Sequence, residues 1–174
     1  LHGDYSEWHF NGQKAAEAFY KDNLLENAFK TWHENGNLNE ELNYQNGKKN
    51  GKYIQRGNEG EIISEGNYVN DLKDGEWVSN NGNKIIVNFN KGNKQGKYQE
   101  FKNNILIAKG YYANDEKVKK WIYYHDNGNI KEEGSFLKDY ADGLWFSFDS
   151  LGIKISSQVF EKGKQEYLPY KEFY

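Results

Sequence analysis

The stretch Gln13-Lys14-Ala15-Ala16-Glu17-Ala18-Phe19-Tyr20-Lys21-Asp22-Asn23-Leu24-Leu25-Glu26-Asn27-Ala28-Phe29-Lys30-Thr31-Trp32-His33-Glu34 decides the fold, because it supports two opposed readings. It is rich in Ala, Leu and Lys, lacks Gly and Pro, and is long enough for a helix on propensity alone. It also holds Asn27-Ala28-Phe29 and Trp32, which stand 24 residues after Gly3-Asp4-Tyr5 and Trp8 and 24 before Gly51-Lys52-Tyr53 and Arg56. An inserted helix has no reason to keep that register. Phase therefore outweighs propensity, and the stretch reads as β-strand.

Working outward, the same Gly-x-aromatic lattice continues through Gly75-Glu76-Trp77, Gly96-Lys97-Tyr98, Lys119-Lys120-Trp121 and Gly143-Leu144-Trp145. Successive starts lie 24, 24, 24, 21, 23 and 24 residues apart, which makes seven copies of one supersecondary unit. The first aromatic column is Tyr5, Phe29, Tyr53, Trp77, Tyr98, Trp121 and Trp145. Three residues later comes Trp8, Trp32, Phe101, Tyr124 or Phe148, with Arg56 and Asn80 filling that place in two copies. Asn-Gly pairs such as Asn11-Gly12, Asn35-Gly36 and Asn127-Gly128 then read as hairpin turns. A second run ends in an unbroken column of Tyr20, Tyr44, Tyr68, Phe89, Tyr112, Phe136 and Phe160. Period-2 alternation, with Leu38, Leu42 and Tyr44 on one face and Asn39, Glu41 and Asn43 on the other, supports strands.

The expected fold is all-β: an elongated array of about seven antiparallel hairpins with about 14 short strands over residues 1–166, in copies of about 24 residues. Residues 167–174 leave the pattern, concentrate aromatics and contain the single Pro, as a C-terminal edge cap would. Leu1-His2 leads almost directly into a copy. The first strand is therefore expected to have an open edge or to be covered by residues that precede it, the chain reading as a processed product or a fragment.

Composition fits this. Leu, Ile, Val and Phe make up only about a fifth of the 174 residues, while 14 Tyr, 10 Phe and 5 Trp supply the apolar area. No apolar run approaches the length of a membrane-spanning helix. Without Cys there are no disulfides and no thiolate sites, which fits either redox compartment; a secreted or cell-envelope setting is favoured over the cytoplasm. Net charge is −3 with Arg56 the single Arg, so no basic stripe tracks a phosphate backbone and nucleic acid is disfavoured as a partner.

The pattern Gly-x-Trp-x-x-Tyr-x-x-Asn-Gly followed by Tyr-x-x-Gly-x-x-x-Gly resembles MORN repeats, and most closely their bacterial variant type. The resemblance covers essentially the whole chain, with residues 75–77, 119–128 and 143–152 matching best and residues 27–51 carrying Phe29 in the first aromatic place. Departures are Asn103-Asn104 in place of the Asn-Gly turn, and Asn27 and Lys119 in the leading Gly place. The resemblance implies a non-enzymatic meander of hairpins used for protein or membrane-surface contact, with no catalytic residues and no cofactor. Many bacterial members carry a toxin–antitoxin label, which makes a toxin one candidate partner and an antitoxin- or immunity-like role one candidate function.

The first and second aromatic columns are expected to be structural, as core of the sheet. The third set, Trp8, Trp32, Arg56, Phe101, Tyr124 and Phe148, lies an odd number of residues from the first. It should face the other way unless a bulge re-aims it, and it is the candidate binding column for a partner protein or, alternatively, for surface glycans or lipid headgroups. Glu17, Glu41, Glu65 and Glu133 recur at one repeat position and read as solvated, edge-protecting charge. His9, His33 and His125 recur beside the third column, but neighbouring copies lie roughly 9.6 Å apart, too far for two rings to share one zinc. No Gly-x-Ser-x-Gly elbow, paired-carboxylate signal or phosphate-binding loop is present, so no metal ligands and no catalytic residues are assigned.

Overall fold

The computed structural model describes residues 1–166, and the proposed cap at 167–174 lies outside the described residues. The chain divides into two compact units, Leu1–Asn93 and Lys94 onward. The first holds β1 (Gly3–Trp8), β2 (Lys14–Lys21), β3 (Leu24–Trp32), β4 (Leu38–Gln45), β5 (Lys48–Arg56), β6 (Ile62–Val69), β7 (Leu72–Ser79) and β8 (Lys84–Asn90). The second holds β9 (Asn93–Lys102), β10 (Ile105–Ala113), β11 (Glu116–Tyr124), β12 (Ile130–Leu137), β13 (Tyr140–Phe148), β14 (Lys154–Glu161) and β15 (Lys164–Glu166). Within each unit every strand is antiparallel to the next in chain order, so each is a meander without crossovers. The fold is all-β as expected, and the stretch 13–34 is strand β2, a turn and strand β3. One short strand, β15, lies beyond the fourteen read from the sequence.

Two kinds of turn alternate, and they explain the spacing. The turn inside a copy is a three-residue loop: His9 N–H donates to Gln13 O, Gly12 N–H to His9 O, and Gly12 takes a left-handed φ of 82°. The turn between copies has two residues with positive φ, as at Asp22 (50°) and Asn23 (66°) or Asn114 (50°) and Asp115 (67°). In the fifth copy Asn103 (50°) and Asn104 (65°) form this shorter kind inside the copy, and that copy is the 23-residue one. The 21-residue fourth copy pairs β7 with β8 with no register shift at all, having lost the extra residue that the other copies insert.

That insertion corrects the alternation drawn from Leu38 to Tyr44. Thr31 pairs with Glu40 but Trp32 pairs with Leu38, leaving Asn39 as an extra residue. Leu38 therefore follows the third column while Leu42 follows Phe29, and the two do not share a face. The same bulge leaves Ala15, Ile63, Ile107, Lys131 and Ile155 unpaired at equivalent places.

The Gly-x-aromatic motif is itself a wider bulge. Glu65 pairs with Val78 and Asn67 with Asp74, so Gly75, Glu76 and Trp77 together oppose the single residue Gly66. Its leading residue is left-handed in every copy, including Asn27 (φ 65°) and Lys119 (φ 61°) where Gly is absent. The excess backbone swings the following ring over the facing strand. Added Cβ atoms at Gly66, Gly110 and Gly134 would lie 2.7, 2.6 and 2.5 Å from Cγ of Trp77, Trp121 and Trp145, and closer still to other ring atoms. These three indoles are 4%, 1% and 6% exposed and form the centre of the core. Each donates its Nε1–H to the carbonyl after the facing Gly: Trp77 to Asn67 O (3.1 Å), Trp121 to Tyr111 O (3.2 Å) and Trp145 to Ser135 O (3.1 Å).

Candidate partner-binding face

The first two aromatic columns saturate one another. Tyr5 meets Tyr20 edge-on at 6.0 Å, Phe29 meets Tyr44 at 6.1 Å, Tyr53 meets Tyr68 at 5.7 Å and Trp77 meets Phe89 at 6.2 Å. In the second unit Tyr98 meets Tyr112 at 5.6 Å, Trp121 meets Phe136 at 6.0 Å and Trp145 meets Phe160 at 6.2 Å. Edge-to-face geometry matches the positive ring edge to the negative ring face. Outside the three buried Trp, all these rings are half-buried.

Lysines of the same face close over the rings. Lys73 Nζ stands 4.0 Å from the Trp77 centroid, Lys117 Nζ 4.6 Å from Trp121, Lys49 5.1 Å from Tyr68 and Lys94 5.0 Å from Tyr112. Burial pushes the hydroxyls of Tyr44, Tyr53, Tyr68, Tyr98, Tyr112 and Tyr123 up from the ordinary tyrosine range. Glu40 beside Tyr53 and Glu100 beside Tyr98 raise them further, and Tyr98 Oη donates to Glu100 Oε2 at 3.0 Å. The donors, acceptors and ring faces here are largely consumed within the chain.

The third column stands on the opposite face, past the bulge. Trp8 is 62% exposed, while Trp32, Arg56, Phe101, Tyr124 and Phe148 are half-buried. Lys14 lies 5.4 Å over Trp32 and Lys109 lies 5.6 Å over Tyr124. The acidic column shares this face and is partly neutralised: Glu17 pairs with Lys14 at 2.8 Å, Glu41 with Lys30 at 3.5 Å and Glu133 with Lys120 at 2.9 Å. These contacts are solvated, so each contributes only about 0.2–1 kcal/mol.

The three histidines have a role that spacing did not reveal. His9 Nε2 lies 2.8 Å from Trp32 O, His33 Nε2 2.9 Å from Arg56 O and His125 Nε2 3.0 Å from Phe148 O. A carbonyl only accepts, so each ring carries a proton on Nε2 and ties one copy to the next. The turn Asn side chains add parallel ties, Asn11 to Glu34 O (2.7 Å), Asn35 to Asn58 O (2.8 Å) and Asn127 to Ser150 O (2.6 Å). Among the described residues no group of three or more His, Asp or Glu has a metal-holding arrangement, and no helix is long and apolar enough to cross a membrane.

Repeated hairpins, bulge-seated rings and copy-to-copy ties define a β-hairpin repeat protein. A sequence model described as MORN repeat variant matches residues 1–22, 25–46 and 117–138. These segments are the copies that carry His9, His33 and His125. The remaining copies have Gly57 or Asp149 in the His place, the two-residue turn at Asn103, or the shortened β7–β8 hairpin. No curated protein matches the chain. A MORN-type match points to a repeat scaffold for binding, an architecture that is generally non-catalytic.

Proposed function

We propose that the protein is a non-catalytic scaffold that binds another protein through its third-column residues, Trp8, Trp32 and Arg56 in the first unit and Phe101, Tyr124 and Phe148 in the second. The observation that carries this is the asymmetry between faces. On one face the rings, hydroxyls and lysines are matched to one another. On the other, Trp8 (62%) in the first unit and Leu144 (55%) and Tyr111 (37%) in the second are exposed among charges that are only partly paired. Apolar surface interspersed with charge suits a protein interface better than a glycan platform, which needs several accessible ring faces, and Trp8 is the one exposed member of the third column. An antitoxin- or immunity-like role is the narrower form of this reading, with a toxin as the partner.

The test is affinity capture from lysate of the source organism, comparing the chain with a Trp8→Ala/Trp32→Ala/Tyr124→Ala variant of equal circular dichroism. Loss of a reproducible protein partner from the variant supports the reading. Recovery of the same partner by both forms removes the third column from the site.

A further inference from the structure

Within the second unit, the face of the third column carries a concavity whose place recurs in the repeat, as at Asp4, Ser6, Glu17 and Phe19 in the first copy, but whose lining charge differs. A cavity of about 360 Å³ is lined by Lys97, Lys109, Lys120, Tyr111 and Ile122 over the backbone of Gly110. Lys120 also lines an adjoining hollow with Leu144 and Phe146, and Glu133 stands between Ile122 and Phe146 in the ladder, so the apolar floor of the first hollow is Tyr111 and Ile122. The first volume falls within the roughly 300–1,000 Å³ range of binding clefts.

The charge of this cavity departs from the rest of the face. The column occupied by Glu17, Glu41, Glu65 and Glu133 in four other copies, and by Ile86 and Ser157 in the remaining two, holds Lys109 here, and register confirms the equivalence, since Ile122 pairs with Lys109 on one side and Glu133 on the other. Lys97 pairs across the ladder with Tyr111, and Lys119 Nζ stands 5.4 Å over the same ring. Among the residues lining the two hollows, the single carboxylate is Glu133, and Lys120 already holds it at 2.9 Å. Lys97 and Lys109 are exposed and form no ion pair among the described residues.

Excess ammonium groups around an apolar floor call for a ligand with carboxylates flanking an apolar side chain. We propose that this cavity docks an acidic polypeptide segment of the partner protein, with an apolar side chain against Tyr111 and Ile122 and carboxylates on Lys97 and Lys109. The inference rests on the protein-binding reading and gives the partner its chemistry.

The experiment uses the full chain and a fluorescently labelled peptide of alternating Glu and Leu, with the Gln-Leu and Lys-Leu peptides as comparisons. Binding of the Glu-Leu peptide alone is expected, weakening steeply as salt rises from about 0.1 M to about 1 M and the screening length falls from about 10 Å to about 3 Å. Lys97→Glu/Lys109→Glu should weaken it about tenfold or more, and Tyr111→Ala should weaken it at fixed charge. Lys52→Glu, at the repeat position equivalent to Lys97 but in the first unit, should leave it unchanged. Equal binding by wild type and Lys97→Glu/Lys109→Glu overturns the proposal, as does equal loss with Lys52→Glu. Displacement of the peptide by inorganic phosphate at matched ionic strength also overturns it, by making the cavity a simple anion site. None of these outcomes touches the third-column capture experiment, so failure here and failure of the broader reading are distinguishable.

Discussion

Gly110→Ala separates two physical accounts of a strand glycine. Gly110 does not have a left-handed φ, so on backbone grounds alone Ala should fit and, being the better strand residue, should stabilise by roughly 0.5–1 kcal/mol. The packing argues the reverse. A Cβ there would meet Cγ of Trp121 at 2.6 Å and other indole atoms closer still, where about 3.5–4.0 Å is comfortable, so the indole must move by more than about 1 Å. It has little room to do so. Trp121 is 1% exposed, with Tyr98 at 5.2 Å, Tyr112 at 5.3 Å and Phe136 at 6.0 Å, and Lys117 Nζ at 4.6 Å from its centroid. Overpacking costs about 1–3 kcal/mol, and displacing the Nε1–H from Tyr111 O adds about 1 kcal/mol. Net destabilisation of about 2–3 kcal/mol is expected. The assay is urea unfolding followed by far-ultraviolet circular dichroism. Gly143→Ala is the comparison, since its φ of 75° strains the backbone while nothing lies within 4 Å of the new methyl, and it should cost about 1–2 kcal/mol. The Trp121→Phe change should be at least about 1 kcal/mol less harmful in the Gly110→Ala background than alone, because the smaller ring relieves the clash. A neutral or stabilising Gly110→Ala, or additive behaviour of the pair, would refute the account.

Three further outcomes follow from the same structure. Lys119→Gly should raise stability by up to about 1 kcal/mol, because it removes a left-handed lysine at 61°; a loss of stability in urea titration would argue that its contact with Tyr111 matters more. His33→Ala removes the tie to Arg56 O and should cost about 1 kcal/mol, with faster amide exchange at the β3–β4 turn as the local readout. The raised tyrosine hydroxyls make stability alkali-sensitive: it is fully present below the ordinary tyrosine value of about 10 and is lost as pH rises through the higher folded values. Tyrosinate absorbance should then appear together with loss of circular dichroism, and Tyr53→Phe/Tyr98→Phe should flatten the pH dependence between those limits. Early tyrosinate absorbance with the fold intact would contradict it.

The repeat was legible because every copy writes its ring, its turn and its second ring into contiguous residues, so seven weak motifs in phase outweighed the helical propensity of residues 13–34. The proposed binding column was legible as a set of positions but not as a surface. Odd spacing separates Trp8 from Tyr5, yet the exposure of Trp8 and the half-burial of Trp32 depend on what lies across the strand. Lys109 and Lys97 carried no distinguishing pattern, since a lysine on a charged chain is unremarkable until register sets it beside Tyr111 and Ile122.

By itself, then, the sequence determined the all-β class, the copy length and the two ring columns, because strand, turn and repeat are properties of near neighbours along the chain. Tertiary structure decided the bulges, and with them which side chains share a face. It showed that the leading residue of each motif serves a left-handed bend, and that Gly66, Gly110 and Gly134 are seats for rings eleven residues further on. It also turned the histidines from a suggestive column into carbonyl ties between copies. The reason is common to all three: each is a relation between adjacent strands, fixed by hydrogen-bond register and ring volume rather than by residues adjacent in the chain.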